Sequence, residues 1–119
     1  MHSELLLEHF RNPRNVGQLP PPAVTIDVSN PACGDLLRLS ALFQDDKVVD
    51  ARFQVRGCTA SIAAGSALSE WMIGKTRLQL NGLTAEIIEL ALGGLEPASK
   101  HAAALCVDGA KAIARSAVS

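Results

Sequence analysis

An alternation of apolar and polar residues with a period of two runs through the first half of the chain, and it constrains the fold more than any other feature. It recurs over residues 24–28, 37–43 and 49–56, and in the last run Val49, Ala51, Phe53 and Val55 are predicted to face the core. This period is typical of strands with one buried face. The residues Gln-Asp-Asp-Lys at 44–47 predict a tight turn. We therefore predict an antiparallel meander of three strands.

Beyond residue 58 the pattern becomes helical. A run rich in small residues, a capping box opened by Thr76, and a segment stopped by Gly93 and Gly94 indicate successive helices. The predicted helices cover residues 4–10, 59–73, 84–92 and about 97–116, with a short one opening at 76–79. The proline-rich residues 17–22 predict a linker. The predicted fold class is α+β, with helices packed on a small sheet.

Length and charge limit the number of domains and the kinds of partner that this chain can have. The 119 residues suffice for a single domain over residues 1–119. A net charge of −1 argues against nucleic acid or an anionic membrane as the main partner. The apolar run near the N-terminus is broken by Glu4 and Glu8, which does not fit a signal peptide, and no run approaches the roughly 20 residues of a membrane span. We expect a cytoplasmic protein whose cysteines are free, metal-bound or catalytic.

The predicted topology brings two cysteines together. In a meander, the loop between the first two strands lies at the same end of the sheet as the exit of the third. Cys33 lies in that loop and Cys58 follows that exit, so we expect the two thiols to be neighbours although they are 25 residues apart. Gly34 and Gly57 flank them and would let the backbone approach a bound group closely. Cys58 also precedes a helix N-terminus, whose dipole favours a thiolate.

Asp35 adds an oxygen atom at the same rim, although it could instead cap a turn. Zinc takes about four ligands, and a [2Fe–2S] cluster also takes four, among which histidine can replace cysteine. His101, near the start of the last helix, is the candidate for the fourth ligand. Cys106 lies on an apolar face of that helix, which favours burial, and it is the alternative fourth ligand. His2 and His9 are interpreted as ordinary surface or core residues.

Several segments resemble the IscU/NifU family of iron–sulphur cluster assembly scaffolds. They are EHFRNPRNVG, NPACGD, DARFQVRGCTASIAAGSALSEWMIGKT and the final helix after LEPASKH, and together they extend from about residue 4 to residue 115. The resemblance implies an α+β fold like that of the IscU/NifU N-terminal domain. It implies a scaffold or carrier, not an enzyme, that receives sulphur from a cysteine desulfurase and iron from a donor. Such a protein builds a transient [2Fe–2S] cluster and transfers it to apo iron–sulphur proteins.

The family ligands correspond to Cys33, Asp35, Cys58 and His101. Zinc often occupies the same ligands in the family. The resemblance therefore predicts that this chain holds its cluster, or zinc as isolated, on these four side chains.

Two positions depart from the family pattern. The family usually has a third cysteine directly after the histidine, associated with accepting sulphur, and this chain has Ala102 there. Cys106 lies one helical turn later, roughly 6 Å along the axis, and is the reserve ligand. The segment LEPAS at 95–99 keeps only Leu95 and Pro97 of a family segment recognised by a dedicated chaperone, so we do not expect that partner.

Two alternatives to the scaffold remain at this point. The first is a zinc-bound sulphur-transfer partner of a cysteine desulfurase, in which an accessible cysteine carries a persulphide. The second is a regulatory or binding protein that has kept the fold and lost cluster assembly, for which Ala102 is the best support.

Overall fold

A sheet whose strands lie side by side in chain order forms the centre of the computed structural model, which describes residues 2–31 and 34–116. Its strands are β1 (Val24–Asn30), β2 (Asp35–Gln44) and β3 (Lys47–Arg56), all antiparallel. A two-residue turn joins β2 to β3, with Asp45 and Asp46 at φ angles of 53° and 64°. Positive φ at both positions matches the twist of a hairpin. The predicted meander and its tight turn are confirmed.

The strand register fixes which loops meet. Asn30 pairs with Asp35 across the β1–β2 connection, and Leu36 pairs with Arg56 at the end of β3. The start of β2 and the exit of β3 therefore lie at the same end of the sheet, as the sequence predicts.

The alternation in β3 changes phase near its start, and here the sequence prediction is wrong. Val48 is 1% exposed, whereas Val49, predicted to face the core, is 44% exposed. A bulge explains the difference, because Leu42 pairs with Asp50 while the next residue, Phe43, pairs with Val48. Val49 is the extra residue, and inserting one residue moves the preceding side chains to the opposite face.

Helices cover one face of this sheet. They are α1 (Glu4–Arg11), α2 (Thr59–Met72), α3 (Arg77–Asn81), α4 (Ala85–Ala91) and α5 (Lys100–Ser116), with a single 3₁₀ turn at Pro97–Ser99. The Ser3 side chain caps α1 by accepting a hydrogen bond from the Leu6 amide. The predicted capping box of Thr76 and Gln79 opens α3. Within the described ranges, every helix is too short or too polar to cross a bilayer.

Small residues allow the two main helices to lie close to the sheet. α2 packs on β3, and α5 packs on β1 and β2. A Cβ atom at Gly65 of α2 would lie 2.5 Å from a ring carbon of Phe53, and one at Gly109 of α5 would lie 2.9 Å from Leu37 Cδ2. Both distances are too short for real carbon atoms, so glycine is needed at these contacts. These glycines therefore let α2 and α5 pack directly on the sheet.

The segment before β1 forms an additional edge on the sheet. The Gly17 amide donates to the Phe53 carbonyl, and the Phe53 amide donates to the Asn15 carbonyl, each at 2.9 Å. Residues 17–22, the predicted proline-rich linker, have no helix or strand, and β1 begins two residues later at Val24.

Candidate metal centre

Three side chains that commonly bind metals converge at one end of the sheet. The Nε2 atom of His101 lies 3.1 Å from Asp35 Oδ2 and 3.6 Å from Cys58 Sγ. Cys58 Sγ lies 3.8 Å from the same carboxylate oxygen. Ligands around a tetrahedral ion, at bond lengths of about 2.0–2.3 Å, lie about 3.3–3.8 Å from one another. The three ligand atoms are thus spaced closely enough to share one ion.

Each of these residues stands at the end of a different element. Asp35 is the first residue of β2, Cys58 is the N-cap of α2, and His101 is the second residue of α5. The sheet register brings the first two together, and the packing of α5 against β1 and β2 adds the third. The site therefore depends on the complete fold and on no single local motif.

Close packing holds the Asp35 carboxylate in place. Asp35 is 5% exposed. A Cβ atom at Gly57 would lie 2.7 Å from Asp35 Cγ and Oδ1, so the carboxylate occupies the space that any larger residue would fill. The Ser61 hydroxyl, on the first turn of α2, donates to Asp35 Oδ2. A buried carboxylate with such fixed neighbours loses little freedom when it binds a cation.

The orientation of the His101 ring favours metal binding through Nε2. Its Nδ1 atom lies 3.1 Å from the Ala98 carbonyl oxygen, which accepts the Nδ1 proton. This hydrogen bond fixes the neutral tautomer with a lone pair on Nε2, the atom that faces Asp35 and Cys58. Ala98 lies in the short 3₁₀ turn that leads into α5, so this turn sets the ring orientation.

Cys58 gives the centre its accessible side. The residue is exposed, unlike Asp35, and its side chain makes no capping bond to the α2 backbone. Its sulphur lies 3.4 Å from Ser61 Oγ. A thiol group from another protein can therefore approach the centre from the side of Cys58.

The other two predicted ligands are Cys33 and Cys106. Cys33, predicted as a cysteine ligand, lies outside the described residues. Cys106 is 2% exposed within the hydrophobic core, as its helical face predicts. Burial raises the pKa of this thiol to about 12, which keeps it protonated and therefore a poor ligand at neutral pH. Among the described residues the candidate group consists of Asp35, Cys58 and His101 and excludes Cys106, so the reserve-ligand role finds no support.

Two contributors to the centre do not follow from the sequence. Ser61 contacts both Asp35 and Cys58, and the Ala98 carbonyl orients His101. The spacing of Ser61 three residues after Cys58 gives a signal, because this spacing places it on the same helical turn. The sequence gives no signal for the Ala98 carbonyl, because its position depends on the backbone of the 3₁₀ turn.

The profile of the family described as NifU-like N terminal domain matches residues 1–118. The chain belongs to this family. The protein described as iron-sulfur cluster assembly scaffold protein IscU 1 of Archaeoglobus fulgidus is 37% identical over 108 residues, which are 91% of this chain and 71% of that protein. The IscU scaffold protein of Azotobacter vinelandii is 36% identical over 118 residues, covering 96% and 91% of the two chains.

A solved structure supports the fold of this NifU-like domain. It is described as an iron-sulfur cluster assembly scaffold protein for the SUF system from Fervidobacterium islandicum AW-1. It superposes with a TM-score of 0.76, covers 96% of both chains, and is 20% identical in sequence. The predicted family and fold class are thus confirmed. The relatives are named as scaffolds, and neither the sulphur-transfer alternative nor the loss of assembly receives support from them.

Proposed function

We propose that this NifU-like domain, as a single unit over residues 1–119, assembles a [2Fe–2S] cluster and passes it to apo iron–sulphur proteins. The ligands would be Cys33, Asp35, Cys58 and His101, with sulphur supplied by a cysteine desulfurase. One observation carries the proposal: Asp35, Cys58 and His101, from three separate elements, place their ligand atoms within 4.8 Å of one another. The scaffold names of the relatives support it.

The chemistry of these four ligands suits a cluster that is bound only until it is transferred to another protein. Thiolates are soft ligands that match iron and sulphide, whereas a carboxylate oxygen is a harder and weaker partner. A mixed set should hold a cluster less tightly than four thiolates would. When the thiolates of an acceptor approach, the carboxylate of Asp35 is the ligand that we expect to be displaced first. The same ligands suit Zn²⁺, which would occupy them when iron and sulphide are scarce.

The exposure of the ligands indicates the side from which partner proteins can reach the centre. Asp35 is buried against Gly57, whereas Cys58 is exposed. We infer that the desulfurase and the acceptor both approach from the side of Cys58. We propose a cytoplasmic setting with neither nucleic acid nor a membrane as partner, in line with the net charge of −1. The dedicated chaperone is not among the proposed partners.

The test is assembly followed by transfer. The purified protein is incubated without oxygen with ferrous iron, cysteine, a reductant and a catalytic amount of a cysteine desulfurase, and then with an apo-ferredoxin. We expect the visible absorption of a [2Fe–2S] cluster to develop on this chain and then to appear on the ferredoxin. Cys58→Ala should abolish both signals. Cys106→Ala, the matched control for a buried cysteine outside the centre, should retain them.

Absorption that never develops on the wild-type chain would contradict the proposal. So would equal signals from the Cys58→Ala and wild-type proteins.

A further inference from the structure

Ser61 is a buried hydroxyl residue with both of its polar contacts at the candidate metal centre. It is 1% exposed and is the third residue of α2. Its Oγ atom donates to Asp35 Oδ2 and lies 3.4 Å from Cys58 Sγ. Within residues 2–31 and 34–116, these two ligand atoms are its hydrogen-bond partners.

We propose, resting on the function proposed above, that Ser61 is a positioning residue that orients the Asp35 carboxylate toward the shared ion. A serine hydroxyl has one proton, so it donates to one acceptor at a time. Ser61 donates this proton to Asp35, because a carboxylate oxygen is a stronger hydrogen-bond acceptor than a thiol sulphur. Cys58 is a second acceptor within reach.

The surroundings of Asp35 explain why one hydroxyl matters. Gly57 lies against Cγ and Oδ1 of the carboxylate, and His101 approaches Oδ2. Gly57 offers no side-chain group that could fix the rotation of the carboxylate, and His101 must turn its Nε2 lone pair to the metal when it becomes a ligand. When Cys58 and His101 both act as ligands, Ser61 is the remaining side-chain donor to Oδ2 in the part of the chain that the structure describes. Hydrogen bonds that orient a metal ligand in this way are worth about 10- to 100-fold in metal affinity.

Cobalt(II) is the probe for this proposal, because its bond to a thiolate gives a near-ultraviolet charge-transfer band that reports binding at the proposed cysteine ligands directly. Titration gives the dissociation constant for Co²⁺ in wild type, Ser61→Ala, Asp35→Ala and the double variant. Alanine fits the space of serine and favours a helix, so the fold should be kept. Ser66→Ala is the matched control, because Ser66 is a fully buried and hydrogen-bonded serine of the same helix that contacts His9 and Arg14.

We expect Ser61→Ala to weaken Co²⁺ binding about tenfold in the wild-type background, and by less than about twofold when Asp35 is already alanine. The control variant Ser66→Ala should bind Co²⁺ with the affinity of the wild type. Unchanged affinity in Ser61→Ala would overturn the positioning role and leave the proposed function standing. An equal loss in both backgrounds would also overturn it, because Ser61 would then not act through Asp35. No thiolate band in the wild-type chain would overturn the proposed function, and the role of Ser61 with it.

Discussion

The Nε2 atom of His101 lies 3.1 Å from Oδ2 of Asp35, although 66 residues separate the two in the chain. The Nδ1 proton of His101 is donated to the Ala98 carbonyl, which leaves Nε2 as the ring nitrogen that faces the Asp35 carboxylate. Nε2 and Oδ2 are therefore close enough to bind the same ion. The fold thus brings two candidate ligands from opposite halves of the sequence into contact.

The hardness of Asp35 as a ligand leads to a prediction about transfer. Asp35→Cys replaces a hard oxygen atom by a soft sulphur atom, which binds iron more strongly. We expect the cluster to form and to pass to apo-ferredoxin about tenfold more slowly than from the wild type. The rate is followed by the change in circular dichroism as the cluster moves between the proteins. Asp27→Cys, which adds a thiol elsewhere on the sheet, should transfer at the wild-type rate, and a transfer from Asp35→Cys that keeps this rate would refute the idea.

The close contact between Gly57 and Asp35 predicts the effect of one added methyl group. In Gly57→Ala, the new Cβ atom would lie 2.7 Å from Asp35 Cγ, so the carboxylate must move out of the centre. We expect Co²⁺ affinity to fall about tenfold. Gly82→Ala is the control, because its Cβ atom would lie 3.5 Å from its nearest neighbour, an ordinary contact. Wild-type affinity in Gly57→Ala would show that the position of the carboxylate does not matter.

The burial of Cys106 predicts a large difference in thiol reactivity. With a pKa of about 12, Cys106 is ionised in only about one molecule in ten thousand at pH 8. Cys58 is exposed, so iodoacetamide should modify it in the native protein while Cys106 stays unmodified until denaturant is added. Peptide mapping by mass spectrometry measures both sites in one sample. Modification of Cys106 at the rate of Cys58 would show that α5 does not bury its thiol in solution.

His9 should make the stability of the fold depend on pH. Its Nδ1 lies 2.8 Å from Ser66 Oγ, which also accepts the Arg14 amide proton, so the hydroxyl proton points to a neutral ring. Burial, and next the charge of Arg14, lower the pKa of His9, while Glu70 and Glu8 oppose them weakly. The unfolded chain then binds the proton more readily, so stability is complete above about pH 6.5 and falls as the pH drops through the folded pKa.

The variant His9→Asn removes this titration and keeps a nitrogen or oxygen atom near Ser66. We expect its melting temperature to fall less between about pH 7.5 and about pH 5.5 than that of the wild type. Differential scanning calorimetry at the two pH values gives the comparison. An equal fall of the melting temperature in the two proteins would show that His9 does not contribute to the pH dependence.

The alternation over residues 24–55 was enough to predict the sheet, because each inward residue of an antiparallel strand must find the core. The prediction that Val49 faces the core is wrong, because the apolar and polar residues of the sequence do not reveal the bulge that adds one residue to β3. The helical face of Cys106 predicted its burial for a similar reason, because α5 turns one stripe of residues to the sheet.

The centre was only partly predictable. The topology of a meander predicts that the loop containing Cys33 meets Cys58, because the register determines which loops meet. It places Asp35 at the same rim, where a turn-capping role was the alternative. His101 followed from its place before the last helix and from the family resemblance. The spacing from Cys58 places Ser61 near the centre, but its contact with Asp35 depends on residues that are close only after folding. The same holds for the Ala98 carbonyl, which has no sequence signal.

The most direct test of the account is the iron and acid-labile sulphide content per chain after anaerobic reconstitution. Wild type, His101→Ala and Cys106→Ala are reconstituted in parallel with ferric iron and sulphide, and desalted before visible absorption is recorded. We predict equal iron and sulphide in wild type and Cys106→Ala, with the absorption of a [2Fe–2S] cluster, and loss of most of both in His101→Ala. A cluster that survives in His101→Ala and is lost in Cys106→Ala would contradict the account.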